Sequence, residues 1–324
     1  MSYGKDGVAM AITPAEKKSE LNIETLTWGK LTWINIERPT EKETKYLAEH
    51  YPFHPLDLDD VLSRQQRPKI DQYEDYLFLV LHFPIFNKEQ RVTTSSQLSV
   101  FIGKNYLITL HSGELKPLVK LFRECQIKDE FCQQHFGSGS GFLLYRIVDR
   151  LVDYSIPITN KMLFNVEEVE DEIFSSQKKD TVREISMLRR DVISFRRIVW
   201  PMRAVIGGLE PRVRRFSDRD MSVYFGDVID HMDKIWDALD EYKEIIEGLS
   251  STYDSLSSHR TNEVIRLLTV IAIILLPITV VASIYGMNIT LPFQDSDFAF
   301  IFVVIMMAAI IGGILFILRR LRVI

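Results

Sequence analysis

Residues 267–285 of this chain read LLTVIAIILLPITVVASIY and are followed directly by Gly286-Met287-Asn288. A second apolar segment, residues 298–318, reads FAFIFVVIMMAAIIGGILFIL. Neither segment contains an Asp, Glu, Lys, Arg or His side chain. Each has roughly the 20 residues that an α-helix needs to cross the hydrocarbon core of a bilayer. Two such segments in tandem predict two transmembrane helices, at about 266–286 and at 298–318.

Basic residues flank the two apolar segments on their outer ends, at Arg260, Arg266, Arg319, Arg320 and Arg322. The connection between the segments, residues 289–297, has no Lys or Arg and carries Asp295 and Asp297. Because Lys and Arg are retained on the cytoplasmic side, this asymmetry predicts an external loop at 289–297. Both termini are then cytoplasmic, with a short basic tail at 319–324, in a multi-pass protein of the cell membrane.

The bulk composition excludes several classes of protein. A net charge of −5 over 324 residues gives no reason to expect nucleic acid as a partner. The two cysteines, Cys125 and Cys132, form neither a disulfide framework nor a zinc motif, and we expect reduced thiols. The first 20 residues contain no apolar run of signal-peptide length. We therefore expect the part before residue 260 to be cytoplasmic.

One stripe through the first apolar segment and the turn before it is formed by Asn262, Ile265, Thr269, Ala272, Leu276, Thr279 and Ser283, and its hydroxyl groups are those of the two threonines and the serine. These residues step by three and four and share a helical face. Small and polar residues on such a face either pack membrane helices together or line a pore, and both interpretations stay open. Pro277 frees a backbone carbonyl one turn earlier, which fits a cavity-lining helix or a simple kink. The absence of charge argues against a proton relay.

The N-terminal part alternates short β-rich runs with turns. Residues 31–37, 76–86, 97–103 and 106–112 are predicted strands. TEKETKYLAEH and PLDLDDVLSR between them are predicted helices, and Thr40 with Glu43 has the spacing of a capping box. This pattern predicts a flexible N-terminus at 1–25 and a cytoplasmic α/β domain at 26–136.

Helical patterns dominate from Phe142 onward. GSGSGF (137–142) lacks the lysine of a phosphate-binding loop and is interpreted as a hinge before a helix. Antiparallel helices are predicted at 137–216, and a long stalk helix at 217–288 continues into the membrane. A heptad seam runs through Val228, Met232, Ile235, Leu239, Tyr242, Ile246, Leu249, Tyr253 and Leu256. Such a seam favours an oligomer around an axis.

An acidic face accompanies that seam, formed by Asp227, Asp230, Asp233, Asp237, Asp240, Glu241 and Glu244. It is either a solvated helix face or a source of oxygen ligands for a hard divalent cation.

Several stretches together are similar to those of the CorA-type magnesium and cobalt channel family. They are HPLDLDDVL (54–62), QRPKIDQYEDYLF (66–78), FLLYRIVDRLVD (142–153), YFGDVIDH (224–231), NEVIRLLTVIAIILLPIT (262–279) and the Gly-Met-Asn turn. The resemblance implies a homopentameric channel. Its fold class is an α/β cytoplasmic N-terminal domain followed by a long α-helical coiled-coil stalk and two transmembrane helices. It also implies Mg²⁺ as transported and regulatory ion, without an organic cofactor, and self-association, lipid and divalent cations as partners.

The resemblance also assigns individual residues. Pore positions fall on Asn262, Ile265, Leu268, Leu276, Thr279 and the Gly286-Met287-Asn288 turn. A regulatory magnesium site falls on Asp60 of one subunit and Asp227 of the partner subunit, and a second on Asp59, Asp149 and Asp153.

Two departures from the family pattern affect ion preference. Ser283 stands where the family commonly has glycine, and the PFQDSD loop lacks the common Met-Pro-Glu signature. A zinc transporter of the ZntB type, with the same fold, is therefore an alternative. A membrane-anchored enzyme is disfavoured because the sequence has no HExxH, GxSxG or Walker motif. A signalling scaffold gives no reason for the Gly-Met-Asn turn.

Overall fold

The computed structural model describes residues 13–17, 21–63, 66–175, 180–287 and 298–321. The chain divides into two compact units, one ending at Ser250 and the other beginning at Ser251. The predicted pore residue Asn288, the predicted loop 289–297 and residues 322–324 lie outside the described residues.

A mixed β-sheet forms the centre of the first unit. Its strands are β1 (Thr13–Lys17), β2 (Ile23–Trp28), β3 (Leu31–Glu37), β4 (Lys69–Gln72), β5 (Tyr76–Asn87), β6 (Val92–Gly103) and β7 (Tyr106–His111). The strand order is β1-β2-β3-β7-β6-β5-β4. Only β3 and β7 pair in parallel among the described strands, with Thr32 opposite Tyr106; the other neighbours are antiparallel.

The four predicted strands are confirmed as β3, β5, β6 and β7. Three strands were missed because they carry a weak apolar signal. β4 reads KIDQ, and its side chains are exposed or half-buried. The expectation of a flexible N-terminus at 1–25 is wrong for residues 13–17 and 23–25, which belong to β1 and β2. Backbone pairing with β3 orders β2, whose Ile23 and Leu26 are buried.

The middle of the sheet is buried on both faces. β5 alternates Leu77, Leu79 and Leu81 with Phe78 and Val80, and all five are fully buried. Phe78 and Val80 share one apolar cluster with Leu47, Phe53, Leu58 and Val61 from the helical side of the sheet. Successive side chains of a strand point to opposite faces, so the leucines face the other layer. This double burial explains why β5 reads as a continuous apolar run.

Helices cover the sheet and continue the chain. They are α1 (Glu41–His50), α2 (Pro55–Leu62), α3 (Lys116–Ile127), α4 (Asp129–Phe136), α5 (Ser140–Ser175), α6 (Thr181–Gly207), α7 (Leu209–Val213), α8 (Ser222–Tyr285) and α9 (Ala299–Arg320). A 3₁₀ turn, Arg214–Phe216, follows α7. Phe122 of α3 packs edge-on against Trp33, with ring centroids 4.9 Å apart.

The two cysteines lie in this helical cover, Cys125 on α3 and Cys132 on α4. Both are free and buried. Burial raises the pKa of Cys125 to about 12 and that of Cys132 to about 11, with smaller contributions from neighbouring groups. Both thiols are therefore protonated at neutral pH and are poor nucleophiles.

The GSGSGF segment forms a close-packed turn that leads into α5, so the predicted helix follows it. Gly139 has φ +91°, and a Cβ there would lie 2.7 Å from the Phe216 carbonyl oxygen. Ser140 donates its hydroxyl hydrogen to the Gly103 carbonyl. The glycine is thus required by both its left-handed backbone and its close neighbour, and no phosphate is needed to explain it.

The heptad seam of α8 is buried inside its own chain. The seven residues from Val228 to Leu249 are buried, whereas Tyr253 and Leu256 are half-buried. Arg203 of α6 donates from Nε to Asp233 Oδ1 at 2.6 Å, and Arg196 of α6 pairs with Asp240. The seam between 228 and 249 therefore packs within one chain, and it does not by itself require a second copy.

The long helix begins at Ser222 rather than near Ser217. The Ser217 hydroxyl donates to the Ser138 carbonyl and accepts from Arg219 N–H. Asp220 Oδ1 accepts from Ser222 N–H at 3.0 Å. These side-chain bonds compete with helical backbone bonds, which delays the helix start.

The predicted capping box of α1 is present. Glu43 Oε2 accepts from the Thr40 backbone N–H at 2.9 Å, and Thr40 Oγ1 accepts from Lys42 N–H at 3.3 Å. Glu43 Oε1 also accepts from Asn22 N–H at 3.0 Å, which ties β2 to the start of α1.

Thr40→Ala removes the cap and should destabilise the first unit by about 1 kcal/mol. For a unit of this size, the melting temperature should fall by about 2–4 °C. The measurement is circular-dichroism melting of the full chain in detergent. Lys42→Ala, on the same helix turn, is the control. Equal melting temperatures for the two variants would contradict a stabilising cap.

Candidate functional site

Most of the predicted pore residues share one face of α8, in a part of the helix whose other faces are also exposed on the single chain. Five of them lie on this helix, namely Asn262, Ile265, Leu268, Leu276 and Thr279, and all are exposed. The side chains of Leu268 and Leu276 are 60% and 66% exposed. An apolar surface of this extent is not stable against water. It requires a bilayer or further copies of the helix around it.

In the described part of the chain, two helices have the length and apolar composition needed to cross a membrane. They are α8 and α9, the latter over Phe300–Arg320. The apolar windows of these helices are almost entirely unburied within the chain. α9 runs to Arg320, two residues beyond the predicted end of the second segment.

The two threonine hydroxyls on the stripe donate their hydrogens to backbone carbonyls of their own helix. Thr269 Oγ1 donates to the Ile265 carbonyl at 2.7 Å, and Thr279 Oγ1 donates to the Leu275 carbonyl at 2.8 Å. A hydroxyl oxygen retains acceptor capacity after donating its hydrogen. Thr279 therefore presents an uncharged acceptor, which suits the water shell of a hydrated cation.

The helix ends at the Gly-Met-Asn motif. Gly286 N–H donates to the Ala282 carbonyl at 2.9 Å, and Met287 N–H donates to the Ile284 carbonyl at 3.2 Å. A Cβ at Gly286 would lie 3.1 Å from the Ala282 carbonyl oxygen. The glycine is thus favoured by close backbone approach in the last turn. Asn288 lies outside the described residues, so its side chain stays a prediction.

A second group of predicted residues lies where α5 faces α8. His231 Nδ1 is 3.1 Å from Asp153 Oδ1, and its Nε2 is 3.9 Å from Asp227 Oδ1. Asp149 lies on α5, one turn before Asp153, and Arg146 Nη1 is 3.5 Å from its Oδ2. The structure thus brings Asp153 and Asp227 of one chain together through a histidine.

Burial raises the pKa of the Asp149 carboxyl, and the negative charges of Asp153 and Asp227 raise it further. Arg146 and His231 oppose this increase. The site therefore has excess negative charge, which an added cation would relieve.

The other predicted carboxylates lie on α2. Asp59 is exposed, and Asp60 Oδ2 is 2.6 Å from Lys69 Nζ. Lys69 also pairs with Asp71, so one ammonium bridges two carboxylates. Burial lowers the pKa of Lys69, but the two carboxylates outweigh it and the net shift is upward. A charged side chain of the same chain therefore already neutralises Asp60.

A buried anchor holds α2 in place. Asp57 is 1% exposed and accepts hydrogen bonds from the Tyr73 and Tyr76 hydroxyls at 3.1 and 3.0 Å. The Tyr76 hydroxyl oxygen also accepts a hydrogen bond from the His54 backbone N–H at 2.9 Å. These contacts position Asp59 and Asp60 relative to the sheet.

Sequence reasoning missed Asp57, Lys69 and His231. The i,i+4 spacing of Asp227 and His231 was a visible signal for the histidine. No local spacing relates Asp57 to its tyrosines, because those residues meet only when β4 and β5 pack against α2.

The predicted regulatory carboxylates have the donor chemistry that Mg²⁺ prefers. Within the described part of one chain, however, no three His, Cys, Asp or Glu side chains are arranged to hold a metal ion. The predicted regulatory carboxylates of a single chain lie in two separate groups, on α2 and at the α5–α8 contact.

The comparisons with known proteins match this architecture. The family described as CorA-like Mg²⁺ transporter protein matches residues 28–320. The cobalt/magnesium transport protein CorA of Thermotoga maritima is 32% identical over 79% of this chain and 73% of its own length. The zinc transport protein ZntB of Pectobacterium carotovorum is 20% identical over 98% of this chain and 94% of its own.

Among solved structures, the complete CorA magnesium transporter of Methanocaldococcus jannaschii superposes with a TM-score of 0.80. It is 23% identical, and the match covers 94% of this chain and 99% of that one. The shared fold joins a soluble α/β domain, a long helix and two apolar helices. On the extent of the family match and on the similarity to the Thermotoga protein, this chain belongs to the CorA-like Mg²⁺ transporter family, a family of membrane transporters.

Proposed function

We propose that this chain forms a homopentameric channel in the cell membrane that carries Mg²⁺ into the cytoplasm. The observation that supports this most directly is the exposed, uncharged stripe of α8 that ends at the Gly-Met-Asn motif. Five copies of α8 around an axis would cover this stripe, and α9 would form an outer ring. Self-association and the lipid bilayer are then the partners of the apolar segments.

The chemistry of the stripe suits a hydrated ion. Mg²⁺ gives up its water reluctantly, and a wall without charges offers no replacement for that shell. Thr279 and the amide of Asn288 would instead hydrogen-bond to water around the ion. Rings of Ile265, Leu268 and Leu276 would close the pore by excluding water.

The driving force and orientation follow from charge. With both termini cytoplasmic, the Gly-Met-Asn motif lies at the external mouth. A membrane potential that is negative inside favours cation entry by about 2.3 kcal/mol per elementary charge per 100 mV. This direction requires no chemical energy source.

Regulation would act through the acidic residues at the subunit boundary. Asp60 and Asp227 of the partner subunit would hold a regulatory Mg²⁺, and Asp59, Asp149 and Asp153 would hold a second. The ion would supply positive charge between carboxylates that otherwise repel. Without that charge, repulsion between the acidic faces would loosen the bundle and favour the open pore. No organic cofactor is part of this proposal.

Zinc transport is the second candidate. The similarity to ZntB extends over nearly the whole chain but is weaker than that to the Thermotoga protein. Flux into liposomes with Mg²⁺, Co²⁺, Ni²⁺ and Zn²⁺ compared in parallel separates the candidates, and preferential Zn²⁺ flux would overturn the magnesium assignment.

Asn288→Ala should abolish or strongly reduce Mg²⁺ uptake and leave the oligomer intact, because the amide is the uncharged group proposed to face the hydrated ion. The measurement is growth of a magnesium-auxotrophic strain at low Mg²⁺, with oligomer size checked by chromatography. Thr290→Ala, two residues later in the predicted loop, is the control. Unimpaired growth of the Asn288 variant would contradict the proposed role.

Lys69→Met should make Asp60 a better cation ligand, since its competing ammonium is removed. A partly exposed ion pair contributes about 1 kcal/mol, so the Mg²⁺ concentration that half-protects the full chain from proteolysis should fall by about fivefold. Lys45→Met, an exposed lysine on α1, is the control.

The two possible failures of this experiment are distinct. If the unmodified protein shows no Mg²⁺-dependent protection, regulation by Mg²⁺ fails as a whole. If it is protected and Lys69→Met has the same midpoint, only competition at Asp60 fails.

Leu276→Asn separates a pore-lining face from a packing face. At a closed pore, the amide should wet the apolar ring and raise basal flux at high internal Mg²⁺. On a packing face, it would bury an unsatisfied amide at a cost of about 1–3 kcal/mol and lower the yield of oligomer. Leu275→Asn, at the same depth but on a different face, is the control. Lower yield with unchanged flux per oligomer would place the pore elsewhere.

A further inference from the structure

A large groove in the first unit lies apart from the predicted regulatory carboxylates. It has a volume of about 1210 Å³ and lies between the end of the sheet near β4 and β5 and the helices α6 and α8. We call it the tryptophan groove and define it by Arg67, Arg197, Trp200, Arg203, Trp236 and Lys243. None of the residues used in the proposed pore or regulatory sites lines it.

Two indole rings form an aromatic surface in this groove. Trp200 of α6 is 62% exposed, and its ring centroid lies 5.0 Å from that of Trp236 on α8. The guanidinium carbon of Arg196 lies 4.5 Å from the Trp236 ring centroid. Aromatic faces and guanidinium planes of this kind are the surfaces on which nucleobases stack.

The charge of the groove is positive. Its lining includes Arg67, Arg196, Arg197, Arg203 and Lys243 and no Asp or Glu side chain. Arg196 and Arg203 are paired with Asp240 and Asp233, and Lys243 Nζ is 3.6 Å from Glu247 Oε1. In the described part of the chain, Arg67 and Arg197 have no carboxylate partner. Two planar guanidinium groups are therefore available for an anion, and arginine is well suited to phosphate.

The groove is preformed in a single chain. The ion pairs of Arg196 and Arg203 join α6, which carries Trp200, to α8, which carries Trp236. A site that needs little rearrangement binds a ligand with less entropic cost. These pairs also occupy Asp233 and Asp240, two members of the acidic face of α8. Concave shape, aromatic surface and free guanidinium groups together favour a small ligand over the stalk of another copy.

We propose that the tryptophan groove binds a nucleoside polyphosphate. The base stacks against the exposed ring of Trp200, which Trp236 supports, and the phosphate chain accepts hydrogen bonds from Arg67 and Arg197. This inference does not rest on the proposed transport function, because it uses no residue of the pore or of the regulatory carboxylates.

The test is isothermal titration calorimetry of the full-length protein in detergent with ATP, in EDTA so that no divalent cation contributes. Inorganic tripolyphosphate and adenosine are titrated in parallel. ATP should bind saturably and more tightly than either part. Arg197→Ala and Arg67→Ala should each weaken ATP binding by about tenfold, as expected for loss of a charge-assisted hydrogen bond. Arg189→Ala, an exposed arginine on the same helix and outside the groove, should have no effect.

Trp200→Ala tests the base contact independently. It should weaken ATP binding and leave tripolyphosphate binding unchanged, and a melting temperature within the range of the Arg189→Ala control shows that the fold is retained. The proposal is overturned if ATP shows no saturable binding, if tripolyphosphate binds as tightly as ATP, or if the Arg197→Ala and Arg189→Ala variants have equal ATP affinity. Dissociation of the oligomer on Arg197→Glu would also overturn it, since the groove would then dock a second copy.

Discussion

The structure depends on the burial of one apolar seam along α8 against its own chain. From Val228 to Leu249, every third or fourth residue of this helix is removed from water. Arg196 and Arg203 reinforce the contact with ion pairs that α6 contributes. Beyond residue 264, the apolar side chains of the same helix are exposed on the single chain, and contact of this surface with water is unfavourable. A helix satisfies its own backbone hydrogen bonds. The single helix α8 can therefore continue from an aqueous environment into an apolar one.

The structure distinguishes two features of α8 that the sequence alone does not separate, namely the heptad seam and the exposed stripe. The heptad seam stabilises the fold of a single chain, whereas the stripe of α8 stays exposed on that chain. The proposed oligomer therefore relies on the stripe and not on the seam. Membership of the CorA-like family agrees with this division, because its members are membrane transporters.

The acidic residues are also less free than their number suggests. Asp60 is paired with Lys69, Asp149 with Arg146, and Asp153 and Asp227 lie beside His231. Any divalent cation at these carboxylates competes with side-chain cations of the same chain. Such competition lowers the affinity of these carboxylates for a divalent cation.

Much of this protein was determined by its sequence. The two uncharged apolar segments, the Thr40–Glu43 capping box and strands β3, β5, β6 and β7 follow from local composition and periodicity, because burial and capping act on neighbouring residues. The resemblance in the Gly-Met-Asn region identified the family. The tertiary structure decided that the α8 seam packs within its own chain and that Lys69 forms an ion pair with Asp60. It also decided that the rings of Trp200 and Trp236 contact each other among arginines. The residues in contact are 9 positions apart for Asp60 and Lys69, 36 for Trp200 and Trp236, and 44 for Arg196 and Asp240. No local sequence period predicts these contacts, because only the folding of the chain brings the residues within interaction distance.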